Sequence, residues 1–95
     1  MISKQLVIGG KPFDACAVSL EPAPFLIIRT EDKSFLACGF LDIAAADGLF
    51  ACAAKVKGVR TFDDMMTAEV VAVTKAAEQK GVKVGMTGKE ALLKM

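Results

Sequence analysis

Two groups of residues in this chain have side chains that could do chemistry. The first is Cys38 with Asp42, set in the apolar run FLACGFLDI with Gly39 between them. A cysteine becomes a nucleophile when cations or a helix N-terminus lower its pKa. Gly39 permits a sharp bend, and a helix start near Asp42 would set that positive pole beside Cys38. On this reading Cys38 and Asp42 are the candidate catalytic residues, thiolate and orienter. The competing reading makes Cys38 a small buried hydrophobe in a strand and Asp42 a helix cap. A carboxylate held among the bulky neighbours of GFLDI would need paired donors or would shift its pKa.

The second group is basic. Lys55, Lys57 and Arg60 stand within six residues, and Lys89 follows Thr87 and Gly88 at the start of a terminal helix. Amides at a helix N-terminus lack partners and the dipole there is positive, so anions collect. If KVKGVR approaches GMTGKE, these residues form a candidate ligand-binding pocket for a phosphate or carboxylate: Lys55, Lys57, Arg60, Thr87, Gly88 and Lys89. The alternative is a solvated strand face and an ordinary capped helix. GMTGKE is not a P-loop, because Lys83 stands where the first glycine belongs and Glu90 follows the lysine.

Other classes are excluded by what the chain lacks. With no histidine there is no His-based triad, no His general base and no zinc pattern of Cys/His spacing; no metal and no cofactor is expected. The net charge of +1 and the absence of Trp and Tyr argue against nucleic acid. Every apolar run is interrupted by charge well short of the roughly 20 residues that cross a bilayer, so no membrane partner is expected. Three cysteines at wide spacing make no disulfide framework and suit a cytoplasmic location.

The elements that position these residues read as strands first, helices last. KQLVI closes on Gly9-Gly10, a hairpin pair, and PFDACAVSL, FLIIRT and FLACGF follow, giving a four-stranded antiparallel meander. LDIAAADGLF is a short helix with Asp42 in its first turn. ACAAKVKG alternates, placing Cys52, Ala54 and Val56 on one face of a fifth strand. Thr61 caps a helix over FDDMM. The spacing of Val70, Val73 and Ala77 predicts a helix from Thr67 to Gly81, with Val71 turned away from its buried stripe. Thr87 and Glu90 form a capping box for the last helix.

The chain is 95 residues, one domain, and 54% of it is apolar before its 8 glycines are counted. Ordinary soluble domains reach about 45–50% with glycine included. So small a core cannot hide that excess, which points to a homo-oligomer.

The blocks CGFLDI, KVKGVRTFDDMM and GVKVGMTGKEALLKM, in this order and spacing, resemble the YunC-like proteins, domain of unknown function 1805. The likeness runs from about Leu6 onward. It implies a prokaryotic single-domain protein of α+β class. The expected architecture is a two-layer sandwich, an N-terminal antiparallel sheet of about five strands with C-terminal helices packed on it. It implies no activity. AAADGLFAC departs from the charged amphipathic helix expected there. Three functions remain open: a homo-oligomeric module binding a small anionic metabolite, a cysteine-dependent enzyme centred on Cys38, and a structural or protein-interaction module.

Overall fold

A computed structural model describes residues 2–95. The N-terminal half is built by turn chemistry. Strands β1 (Ile2–Ile8) and β2 (Lys11–Val18) are joined by Gly9 and Gly10 alone, with φ of 58° and 78°. Two consecutive positive φ values define a turn whose twist matches that of the flanking strands, and two glycines adopt it without steric cost. Strand β3 (Phe25–Arg29) pairs antiparallel with β2, and β4 (Phe35–Ala37) with β3, completing the expected meander.

From Ala37 the chain changes direction. It passes through α1 (Ile43–Gly48) into β5 (Ala53–Val56), which lies parallel to β4. Helix α2 (Phe62–Thr67) leads to β6 (Val70–Val73), antiparallel to β5, and then come α3 (Lys75–Gln79) and α4 (Gly88–Lys94). The result is an α+β fold, a six-stranded sheet in sequential order β1 to β6 carrying helices.

One stretch departs from the helix expected between Thr67 and Gly81. Thr67 ends α2 rather than capping a new helix, and Val70–Val73 is an edge strand. Three β-branched residues in four favour the pleated sheet, where χ1 restriction costs little. Val71 falls at a register irregularity between Lys55 and Val56 of the neighbouring strand and is 40% exposed. The real helix starts about two turns later, where Thr74 accepts a hydrogen bond from the Ala77 amide.

The register sorts side chains onto two unlike faces. Phe13, Ala15, Leu26, Ile28, Leu36, Ala54, Val56 and Val70 share one face and form the main core with Met65 of α2 and Leu92 of α4. Each large side chain buried there contributes about 1.5–3 kcal/mol relative to exposure. Helix α4 closes on this face because Gly88 at its start has no side chain. A Cβ at Gly88 would stand 1.8 Å from the Met65 carbonyl oxygen. On the other face α1 packs against β5, and Ala37, Ala46 and Ala53 are buried outside the main core. The rest of that face, on β1 to β3, includes half-buried Cys16, Val18 and Ile27. No helix among the described residues is long and apolar enough to cross a membrane.

Candidate functional site

Because β4 and β5 are parallel, their C-terminal ends lie side by side, and the segments leaving them diverge. Between Cys38–Phe40 after β4, Gly58–Arg60 after β5, and Ala23–Pro24 before β3 lies a cleft of about 470 Å³. That volume falls in the range of small-molecule sites, and carboxyl ends of parallel strands are where open sheets hold ligands.

The walls follow from local structure. The Cys38 amide donates to the Leu26 carbonyl (3.1 Å), which extends the β3–β4 ladder by one residue. The Leu26 amide in turn donates to Cys38 Sγ at 3.3 Å, and the thiol faces the Pro24 carbonyl at 4.0 Å. Cys38 is 3% exposed and belongs to the main core. Phe40 is half exposed and stacks on Phe25 with ring centroids 5.9 Å apart. Gly58, at φ 72°, turns the chain after β5 and leaves the cleft floor open.

Arg60 supplies the charge. Its amide donates to Asp64 Oδ2 (3.1 Å) just ahead of α2, where Thr61 is the N-cap. Its guanidinium reaches the Pro22 carbonyl at 3.5 Å, so the side chain lies across the mouth of the cleft. Among the described lining residues it alone is charged. The Lys57 side chain runs alongside, its Cγ 3.7 Å from where a Cβ on Gly39 would be.

The fold therefore brings Cys38, Arg60 and the stem of Lys57 together and leaves the other candidates apart. Asp42 is exposed and caps α1, accepting from the Ala45 amide at 3.2 Å. It is not held among apolar side chains and does not line the cleft. Lys55 pairs with Ala37 and Ala72 within the sheet, also outside the cleft. Thr87, Gly88 and Lys89 do not line it either. The Thr87 amide is bound by Glu90 Oε1, the Gly88 amide by the Ala68 carbonyl, and the Glu90 amide by Thr87 Oγ1. With those donors engaged, the start of α4 holds α2 and β6 in place and offers an anion little. The Glu90 carboxyl sits below its ordinary pKa because the Thr87 amide and hydroxyl donate to it.

A second polar group, which the sequence reading treats only as a turn, lies at the opposite end of β4. Thr30 and Asp32 bond each other, and Asp32 also accepts from the Lys80 ammonium. The Ser34 amide donates to Thr30 Oγ1 at 3.1 Å, and Lys80 reaches Ser34 Oγ at 3.2 Å. The ammonium of Lys80, then the Thr30 hydroxyl, hold the Asp32 carboxyl well below the usual carboxylate range. Asp32 raises Lys80 in return. Lys80 is 48 residues from Asp32 in sequence, so local spacing carries no sign of the pair.

A sequential, mostly antiparallel sheet with one parallel step, helices on a deep core, and a small cleft at that step define a compact α+β class. Residues 37–95 match the family described as a domain of unknown function, DUF1805. The chain is 40% identical over 94 residues to the uncharacterized protein YunC of Bacillus subtilis (strain 168), covering 95% of this chain and 92% of that protein. A crystal structure of TA1206 from Thermoplasma acidophilum, a protein of unknown function, superposes with a TM-score of 0.92 at 30% identity. That likeness covers 98% of this chain and 90% of the other. The chain belongs to the DUF1805 family, as the YunC-like resemblance implies.

Proposed function

We propose that this protein is a homo-oligomeric, cytoplasmic module that binds a small anionic molecule in the cleft between Cys38–Phe40 and Gly58–Arg60. The observation that carries the reading is the position of Arg60. A guanidinium held across the mouth of a cleft otherwise walled by glycine backbone and apolar side chains suits a carboxylate or phosphate joined to an apolar body. Phe40 and Pro24 pack against that body, and Lys57 adds a second cation at the rim. Of the basic residues expected to bind, Arg60 and Lys57 are the ones this proposal keeps.

Thermal shift tests it with inorganic phosphate, nucleotides and small mono- and dicarboxylates. A ligand at 100 times its Kd adds about 2.7 kcal/mol. The response should vanish in Arg60→Ala, which keeps the backbone bond to Asp64. No shift with any of these anions rules the reading out.

One observation favours a second reading: Cys38 and Arg60 line the same cleft. A cysteine-dependent enzyme would use Cys38 as nucleophile and Arg60 to hold an acidic substrate, without Asp42. Alkylation separates the two. If Arg60 guides acids to the thiol, Cys38 reacts with iodoacetate faster, relative to iodoacetamide, than a free thiol does, and Arg60→Ala removes the preference. Equal ratios sink the enzyme and leave the binding reading standing.

A further inference from the structure

Arg60 borders two cavities, of which the cleft is only one. The register puts Ile2 and Lys4 of β1 on the core face, opposite Ala17 and Ala15 of β2, and Leu26 of β3 follows beside Ala17. Between this end of the sheet and the start of α2 lies a second cavity of about 290 Å³. Ile2, Ala17, Leu26 and Phe62 give it apolar walls, and Lys4 and Arg60 border it as well. The amide of Leu26 donates to Cys38 Sγ, and Cys38 lines the cleft. The two cavities therefore adjoin along the end of the sheet, with Arg60 common to both.

Charge distinguishes them. In the cleft Arg60 is the charged wall residue; the second cavity adds Lys4. The Lys4 ammonium stands over the Phe62 ring, 5.5 Å from its centroid. The ring face attracts the cation and draws it to this wall, but it uses up none of the ammonium's capacity for a full negative charge. Among the described residues the ion pairs are Arg29 with Asp14 and Lys80 with Asp32, so neither Lys4 nor the Arg60 guanidinium is joined to a carboxylate. Asp63 is the one acid bordering the second cavity, which two cations leave net positive.

We infer that the anion held at Arg60 is a head of two acidic groups: Arg60 takes one, Lys4 takes the other in the second cavity, and the apolar body lies in the cleft against Phe40 and Pro24. The ligand class is an apolar molecule ending in a diphosphate or in paired carboxylates. A guanidinium suits the first acid because its planar fork is rigid; an ammonium on a flexible stem adapts to the second. This rests on the anion-binding reading of the cleft and narrows its ligand.

Titration calorimetry with matched probes gives the test: inorganic phosphate against inorganic diphosphate, and pentanoate against propylmalonate, which is pentanoate with a second carboxylate. The two-acid member of each pair binds at least about tenfold tighter, the effect of one more charge-assisted contact. Lys4→Met keeps a stem over Phe62 without the charge; it erases that advantage and leaves the one-acid probes unchanged. Lys4→Arg restores the advantage. Lys11→Met makes the same change of charge beside the β1–β2 turn, outside both cavities, and leaves the advantage intact. Arg60→Ala abolishes binding of both members.

A two-acid advantage that survives Lys4→Met, or that Lys11→Met removes equally, overturns the role of the second cavity and leaves the one-acid reading of Arg60 standing. Equal affinity within each pair does the same. If no probe binds, or if Arg60→Ala changes nothing, the reading of the cleft and this narrowing of its ligand fall together.

Discussion

The two faces of one sheet are built to different depths, and side-chain size on alternate residues sets the difference. On the core face Ile28, Leu36, Val56 and Val70 stand tall enough to meet Met65 and Leu92 in a thick apolar layer. On the other face Ala37 and Ala53 let α1 come close with only Ala46 between, and a six-residue helix has little more to offer. Where the alanines stop, coverage stops. A deep layer holds the chain together; a thin one leaves surface available for another use.

Substitutions that break the contrast should rank by depth. The largest effect belongs to Gly88→Ala. Alanine gains about 1 kcal/mol over glycine inside a helix, yet here its Cβ meets the Met65 carbonyl at 1.8 Å, and backbone cannot give way cheaply. A loss of about 4 kcal/mol or more is expected in urea unfolding, most of a small domain's stability. Next comes Leu36→Ala, which opens a cavity in the thick layer and costs about 3 kcal/mol. Ala53→Leu overfills the thin layer and lifts α1, for about 2 kcal/mol. A shift no larger than that of a surface change would mean α1 is not pressed against β5.

The smallest effect concerns the polar tie at the end of β4. Asp32 has a folded pKa below its ordinary value of 3.8, so its contribution is present above about pH 4 and fades as pH falls further. Lys80 is raised above 10.5, so its share is full below that pH and is lost only above it. The pair is half exposed and screened, so Asp32→Asn should cost under about 1 kcal/mol at neutral pH. Its loss should also narrow the gap between wild type and variant below pH 4. An undiminished gap at pH 2 would assign the effect to something other than this ion pair.

Much of this layout is legible in local sequence. Gly9-Gly10, the apolar runs of β3 and β4, Asp42 before α1, Thr61 before α2 and the Thr87–Glu90 box act over a few residues, and each does what its chemistry predicts. Strand β6 escapes because Val70, Val73 and Ala77 happen to share a helical spacing. The run of valines and the Thr74-Lys75-Ala76-Ala77 start were the better signals. The cleft is illegible for a different reason. Cys38 and Arg60 meet because β4 and β5 run parallel, and a crossover through α1 leaves no mark at either residue. The expectation that Arg60 would work with Thr87–Lys89 could not anticipate that the Thr87 and Gly88 amides are engaged by Glu90 and by the Ala68 carbonyl.

That crossover also makes a handle. At its apex Leu49 and Phe50 are 80% and 90% exposed, and Phe50 holds a left-handed backbone (φ 62°) better suited to glycine or asparagine. Lengthening a surface loop costs only about 0.6 kcal/mol per doubling. A dye or short tag grafted there would sit on the connection between β4 and β5, away from the residues that line the cleft, and so would leave the cleft free for a guest.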